Sequence, residues 1–377
     1  MNATGIPKHK SEIETPALVI DLDAMERNMA LMNKLLSDSP TIMRPHAKSH
    51  KTPQVGLAQI AAGAVGVTCA KAGEAEAMVD GGVKDVLIAS ELVGGSKNLR
   101  AARLARRADV KVACESAQNV SELSAAALEA GATVGAVIEA DIGNRRCGVR
   151  TPEQAAELAK AIVRAPGLAF RGIMGYEGQC VFIQEVEKRR VEAEKALGTL
   201  MAMVEAIRAA GIPVEIVSAG GTGTFMITGH YPGITDIQAG SYVLMDSRYA
   251  SIEGIPFEQS LTLLSTVMSR PLSDLAVLDY GLKSITREFG VPGPASAVRK
   301  DGTANPYGLD GVEVLGVSEE HTRFGLHSPS RDLRVGDKVD IVPSHCCTTM
   351  NTHDIVYVVR GEEVQDVWRI TGRGKSV

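Results

Sequence analysis

The sequence contains no long hydrophobic run, since none of its apolar stretches reaches the roughly 18 residues that a membrane-spanning helix needs. Its first residues, Met1 to Thr15, are polar and lack the apolar centre of a signal peptide. The net charge is −5, so nothing suggests a nucleic-acid-binding surface or an anionic membrane partner. We therefore expect a cytoplasmic protein with no nucleic-acid partner and no membrane partner.

Zinc-finger spacing is also lacking. The sequence holds six cysteines, at positions 69, 114, 147, 180, 346 and 347. This placement favours reduced thiols, as in cytosolic proteins. The composition, with 45% apolar and 23% charged residues, is that of an ordinary globular protein, and 377 residues suffice for two domains.

Eight short apolar runs are present in the first two thirds of the chain, separated by segments of helical periodicity. The runs are Thr41–His46, Gly66–Ala70, Asp85–Ser90, Lys111–Glu115, Val134–Asp141, Phe170–Tyr176, Val214–Gly220 and Asp236–Tyr242. Continuous apolar strands that alternate with helices predict a (β/α)8 barrel in an α/β protein, and the alternative is an open, doubly wound parallel sheet.

The pattern changes near residue 255, after which short strand-like runs are separated by Gly, Pro and Asp. We predict a barrel over residues 25–254 and a C-terminal, mostly-β domain over 255–377. The early strand-like run Pro16–Asp23 would be a ninth strand of the barrel. We therefore predict that the segment 1–24 pairs with the β domain.

Reactive residues follow the ends of several predicted strands, and in a parallel barrel those ends share the face that carries the active site. Lys48 follows the first strand, among His46, His50 and Lys51. A lysine at the mouth of a barrel can form an imine with an aldehyde if its pKa is lowered. The alternative is a solvated basic loop.

A glycine-rich loop, Gly220-Gly221-Thr222-Gly223-Thr224, follows the seventh strand. Its backbone N–H groups and hydroxyls suit a phosphate, and barrels often bind phosphate in this region. The alternative is a glycine-rich turn. Arg146 and Tyr176 follow the fifth and sixth strands and suit a phenolate or carboxylate and an aromatic ring, or else they support the rim of the barrel.

His345 and Cys347 form a further candidate pair, because residues two apart in an extended segment project to the same side. Imidazole plus thiolate suits Zn²⁺, with Mn²⁺ and Co²⁺ as alternatives, and two protein ligands leave positions open as in catalytic sites. The other interpretation is a buried thiol beside a structural histidine.

Taken together, these motifs make the chain resemble the metal-activated, pyridoxal-phosphate-dependent family of D-threonine aldolases, D-3-hydroxyaspartate aldolases and D-serine dehydratases. The resemblance covers nearly the whole chain, including the segments Thr15–Asp23, Arg44–Lys48, Arg146–Val149, Gly220–Gly223, Gln238–Tyr242, Asp279–Lys283 and Pro343–His345. It implies the alanine racemase-like fold, PLP fold type III, and a homodimer.

By matching positions, the resemblance assigns a role to each candidate residue. Lys48 would carry the pyridoxal imine beside His46, Arg146 would lie near the ring oxygen, and Tyr176 would border the ring. The phosphate would be bound by Gly221, Thr222, Gly223 and Tyr242. His345 and Cys347 would hold the divalent metal, which is Zn, Mn, Mg or Co.

Two positions depart from the family pattern. Cys347 stands where the aldolases usually have an aspartate, and the dehydratases have cysteine there. Phe182 stands near the position of the histidine that serves the aldolases as base, and Glu177 replaces a neighbouring histidine. The candidates for the base are Glu177, a metal-bound water or another residue.

We predict a lyase that cleaves a β-hydroxy-D-amino acid into glycine and an aldehyde. The alternatives are a dehydratase acting on D-serine or D-3-hydroxyaspartate, an amino-acid racemase and a non-catalytic carrier of pyridoxal phosphate. The sequence specifies neither the β-substituent of the substrate nor the metal.

Overall fold

The computed structural model describes residues 5–300 and 302–377. Residues 1–4 of the predicted N-terminal segment and Asp301 of the predicted β domain lie outside the described residues. The chain forms two compact units. Of the described residues, the barrel unit comprises 30–240, 252–255 and 374–377, and the β unit comprises 5–29, 241–251, 256–300 and 302–373. The predicted boundaries at 24/25 and 254/255 therefore differ from the observed ones, since residues 241–251 belong to the β unit.

The first strand, β1 (Ala17–Asp21), belongs to the β unit, and the next eight strands form the parallel sheet of the barrel unit. They are β2 (Ile42–Met43), β3 (Val67–Cys69), β4 (Asp85–Glu91), β5 (Asp109–Cys114), β6 (Val134–Ala140), β7 (Leu168–Gly175), β8 (Ile216–Ala219) and β9 (Asp236–Ile237).

The order of the strands in this sheet is β2-β9-β8-β7-β6-β5-β4-β3. The ring closes between its two end strands, where the Val65 N–H donates to the Met43 carbonyl at 3.0 Å and the Thr68 N–H donates to the Pro45 carbonyl at 2.9 Å. The predicted (β/α)8 barrel is therefore confirmed, and the open sheet is excluded.

The first helix, α1 (Leu22–Leu35), follows β1 and precedes the barrel strands. Further helices follow the barrel strands and cover their apolar side chains, which are almost fully buried. Their bounds are α2 (Pro53–Ala61), α3 (Ala72–Asp80), α4 (Gly95–Leu104), α5 (Ala117–Ala130), α6 (Pro152–Arg164), α7 (Val186–Ala209) and α8 (Phe225–Gly229). The Ser116 hydroxyl caps α5 by accepting from the Asn119 N–H at 3.2 Å. Among the described residues, no helix is long and apolar enough to cross a membrane.

The β unit has a mixed sheet in the order β13-β14-β11-β10-β1-β16-β17, and β15 pairs with β10 and β12. Its remaining elements are α9 (Ser247–Ala250), β10 (Leu261–Leu272), β11 (Leu275–Leu278), β12 (Gly293–Pro294), β13 (Val312–Val317), β14 (Thr322–Leu326), β15 (Lys338–Val342), α10 (Cys346–Met350), β16 (Ile355–Arg360) and β17 (Glu363–Arg369). The N-terminal strand β1 lies between β10 and β16.

The extended conformation predicted around His345 and Cys347 is wrong. Cys346–Met350 form the short helix α10, and only His345 before it has an extended backbone. The two side chains nevertheless interact. Their proximity therefore arises at the first turn of a helix rather than from the alternation of side chains along a strand.

Candidate cofactor and metal sites

Three of the predicted residues meet at the carboxyl ends of the barrel strands. Lys48 lies in a short helical turn after β2, and its Nζ is 5.9 Å from the centre of the Tyr176 ring. The guanidinium carbon of Arg146 is 5.8 Å from the same centre. A primary amine and a fixed positive charge therefore lie near one aromatic ring that directly follows β7.

The other basic residues around Lys48 are engaged elsewhere. The Nζ of Lys51 pairs with Glu74 at 2.9 Å, and Glu74 is fully buried. Burial lowers the pKa of His50 to about 3. Among the described residues, the Nζ of Lys48 has no carboxylate partner, and Lys48 is therefore the amine of this turn that is left for chemistry.

His46 keeps the backbone at Lys48 in place. Its Nδ1 accepts a hydrogen bond from the Lys48 N–H at 3.4 Å. Burial, and then the charges of Lys48 and Arg146, hold the pKa of His46 well below its usual value. The imidazole is therefore neutral at physiological pH, which leaves its Nδ1 able to act as an acceptor.

The glycine-rich loop after β8 packs against Tyr176. A Cβ at position 221 would lie 3.2 Å from Cε2 of Tyr176, and a Cβ at position 223 would overlap the carbonyl oxygen of Val181. Thr222 between them is buried. A side chain at position 223 would therefore collide with the backbone, and one at position 221 would crowd the Tyr176 ring, so the loop lies close to this ring.

Glu177 lies beneath this loop and is fully buried. One carboxylate oxygen accepts from the Gly220 N–H at 3.2 Å, and the other accepts from the hydroxyls of Thr224 at 2.7 Å and Thr228 at 2.5 Å. This geometry argues against the predicted role of Glu177 as a base on the substrate. It favours a role in holding the loop. Phe182 is half-buried and offers no proton acceptor.

An acidic cluster that the sequence analysis did not identify lies at the same end of the barrel. Glu91, Glu115 and Cys147 have their ligand atoms within 4.8 Å of one another. Burial, and then the carboxyls of Glu91, Glu139 and Glu115, raise the pKa of Cys147 to about 11, so its thiol is protonated. These residues lie at or after the ends of β4, β5 and β6. The rule that strand ends share one face of a barrel therefore predicts their proximity when it is applied to carboxylates.

Glu139 belongs to this cluster and contacts Arg146, whose Nη2 lies 3.3 Å from a Glu139 oxygen. Burial, and then Glu91, raise the pKa of Glu139 to about 8 although Arg146 opposes the shift. Glu139 is therefore largely protonated at neutral pH. A largely protonated Glu139 consequently leaves Arg146 able to pair with another anionic group.

In the β unit, His345 and Cys347 form a pair of potential metal ligands. Although burial opposes the charged imidazole, Cys347, Glu288 and Asp246 together raise the pKa of His345 to about 9. Contact with Cys347, together with burial, raises the pKa of Cys346 well above its usual value, so Cys346 is a protonated, buried thiol. Cys347 therefore stays the predicted metal ligand of the two.

The surroundings of His345 and Cys347 limit the number of protein ligands for a metal. Among the described residues, no three such ligand atoms that include His345 or Cys347 lie mutually within 4.8 Å. Any metal on this pair would therefore have only these two protein ligands of the usual acidic, thiol and imidazole types among the described residues.

Tyr242, predicted at the phosphate, is buried in the β unit with its ring edge-on to Phe257 at 5.4 Å.

A parallel barrel with a lysine beyond its first strand, followed by a β unit, defines the alanine racemase-like class of proteins. Residues 20–248 match the alanine racemase N-terminal domain, and residues 260–359 match the putative serine dehydratase domain. The chain belongs to the alanine racemase N-terminal domain family, and its C-terminal half carries the second domain.

Similar proteins cover both units. A 3-hydroxy-D-aspartate aldolase of Paracoccus denitrificans (strain Pd 1222) is 37% identical, over 97% of this chain and 94% of its own. The structure of D-threonine aldolase from Filomicrobium marinum is 36% identical, with a TM-score of 0.91 over 98% of this chain and 99% of that one. D-threo-3-hydroxyaspartate dehydratase from Delftia sp. HT23 is 26% identical, with a TM-score of 0.84 over 96% and 99%.

Proposed function

We propose that this protein is an aldehyde-lyase that depends on pyridoxal phosphate and a divalent metal and cleaves β-hydroxy-D-amino acids into glycine and an aldehyde. The observation that carries the proposal is the similarity to the two aldolases across 97% and 98% of the chain, including both units. The predicted homodimer and cytoplasmic location are part of the same proposal.

The barrel residues fit pyridoxal phosphate. Lys48 provides an amine without a carboxylate partner among the described residues, and the glycine loop provides a close backbone approach beside Tyr176. Once bound, this cofactor acts as an electron sink for the carbanion left at Cα. In our proposal Lys48 attaches the cofactor, Tyr176 borders its ring, and Gly221, Thr222 and Gly223 bind its phosphate.

Arg146 and Glu139 determine the charge near the ring. Because the pKa of Glu139 is raised to about 8, its carboxyl neutralises little of the Arg146 charge at neutral pH. Arg146 would therefore be able to donate to the phenolic oxygen of the bound cofactor and would stabilise negative charge there.

The donor set of the β unit fits a divalent metal such as Zn²⁺ or Mn²⁺, with His345 and Cys347 as its ligands. When bound, such a metal would act as a Lewis acid, which lowers the pKa of a coordinated hydroxyl. His345 and Cys347 would hold the ion as its protein ligands. Tyr242, in the same unit, completes the proposed set of cofactor residues.

The second candidate function is dehydration, because Cys347 matches the dehydratase pattern. A product screen with D-threonine, D-3-hydroxyaspartate and D-serine, each with Mn²⁺, Zn²⁺ or EDTA, separates the two functions. We expect glycine plus an aldehyde from a β-hydroxy-D-amino acid with metal present. A keto acid and ammonia would replace our proposal with the dehydratase, and no turnover of any D-amino acid would favour a carrier.

A further inference from the structure

The imidazole of His345 has a specific partner outside the predicted metal pair. Its Nδ1 lies 2.8 Å from Oε1 of Glu288, and the Thr348 hydroxyl donates to the same oxygen. The ring also packs on Phe289, with the ring centres 4.7 Å apart and a tilt of 48°. The orientation of His345 is therefore restrained by a carboxylate at one edge and by an aromatic ring on one face.

The segment that carries Glu288 is itself attached to the helix α10. The Thr286 hydroxyl hydrogen-bonds the hydroxyls of Thr348 at 2.7 Å and Thr349 at 3.1 Å. The Ser344 hydroxyl donates to the Thr286 carbonyl at 3.0 Å. Glu288 therefore approaches His345 from a segment that is fixed on both sides of the histidine.

We propose that Glu288 is a positioning residue that fixes the tautomer and the orientation of the His345 ring, so that Nε2 is the metal ligand. The inference rests on the proposed function. An imidazole that keeps its Nδ1–H on a carboxylate has only Nε2 left to offer a metal, which takes the place of any proton there. Histidines that bind metals commonly donate their other nitrogen in this way, which raises their basicity.

Glu288 acts through His345 and is not a ligand itself. No set of three potential ligand atoms among the described residues, mutually within 4.8 Å, contains His345, Cys347 and Glu288 together. Oε1 of Glu288 also already accepts from Thr348. Its effect should therefore be on the affinity of the His345 and Cys347 pair for a metal.

The experiment measures the dissociation constants of Mn²⁺ and Zn²⁺ by titration calorimetry on the full-length protein freed of metal. Glu288→Ala should weaken binding by about 10–100-fold, the usual effect of removing such a partner. Glu288→Gln should lose less, because its amide oxygen still accepts from Nδ1. The matched control is Glu313→Ala, which removes the carboxylate 3.1 Å from His327, an exposed pair in the same unit. It should bind metal like the wild type.

A second measurement covers the case in which Glu288→Ala does not fold. Nitrogen-15 spectra of histidine-labelled, Zn²⁺-loaded protein should show His345 with a proton on Nδ1 in the wild type. A proton on Nε2, or a Glu288→Ala affinity equal to that of the wild type, would overturn the inference and leave the proposed function intact. A wild type that binds neither metal would overturn both.

Discussion

The two ends of the same barrel use charged residues in different ways. At the amino ends of the strands, the fully buried Lys111 pairs with Asp85 and Asp109, each at 2.8 Å. Arg44 there also pairs with Asp85. At the carboxyl ends, Lys48 has no carboxylate partner among the described residues and lies near an aromatic ring instead.

The comparison indicates that charged residues have a different role at each end of the barrel. Removal of a buried lysine leaves its carboxylate partners in the fold uncompensated, which lowers stability. A lysine without such a partner is available to a ligand, and in barrels the carboxyl ends of the strands are where ligands bind. Substitution at each end should therefore affect a different property.

The largest effect should come from Lys48. Lys48→Ala should lower turnover of a β-hydroxy-D-amino acid by at least about 10²-fold, since the amine that holds the cofactor is lost. The thermal midpoint should change little. Borohydride reduction followed by peptide mapping should label Lys48 in the wild type, and a label on Lys51, Lys71 or Lys283 would refute this assignment.

Lys111→Met should have the opposite profile. It leaves Asp85 and Asp109 without their buried partner, and because both carboxylates are partly exposed we expect a loss of about 1–3 kcal/mol in the free energy of unfolding. Turnover per folded molecule should stay that of the wild type. Urea denaturation and kinetics on the same sample measure both. Lost turnover with unchanged stability would break the contrast between the two ends.

Glu177→Gln should weaken cofactor binding about tenfold, since a hydrogen bond to a charged acceptor is stronger than one to an amide. Titration of the visible absorbance of the bound cofactor gives this affinity. Glu157→Gln, on the surface of α6, is the control. If Glu177 were instead the base, turnover would collapse while the cofactor affinity remained unchanged.

The last prediction concerns the dependence of stability on pH. The pKa of Glu139 is raised to about 8 by burial and then by Glu91, so between about pH 5 and about pH 8 the folded protein holds a proton that the unfolded chain has released. Stability should therefore fall as pH rises through this window, by less than about 1.4 kcal/mol per pH unit. Glu139→Gln should remove this decline in urea unfolding measurements. The exposed Glu205→Gln should keep it.

The barrel could be predicted from the sequence because its strands are buried on both faces and read as continuous apolar runs. The same rule placed Lys48, Arg146 and Tyr176 together, since strand ends of one barrel share a face. The acidic cluster was not predicted, although Glu91 and Glu139 lie at strand ends on this same face. The burial of Glu177 was missed because it depends on hydroxyls that follow more than forty residues later, among them Thr224.

The β unit was harder to predict. Its strands are short and irregular, and the residues after His345 form a helical turn rather than the predicted extended segment. The partnership of His345 with Glu288 joins positions 57 residues apart. No local pattern predicts such a contact, since it arises from tertiary packing rather than from sequence spacing.

The most direct test of the proposed division of roles is to remove the metal with EDTA while recording two signals on one sample. If Lys48 attaches the cofactor in the barrel unit and His345 and Cys347 hold the metal in the β unit, as we propose, turnover of a β-hydroxy-D-amino acid should disappear while the visible absorbance of bound cofactor persists. Added Mn²⁺ should restore turnover. Turnover that survives complete metal removal, or cofactor that leaves with the metal, would contradict the account.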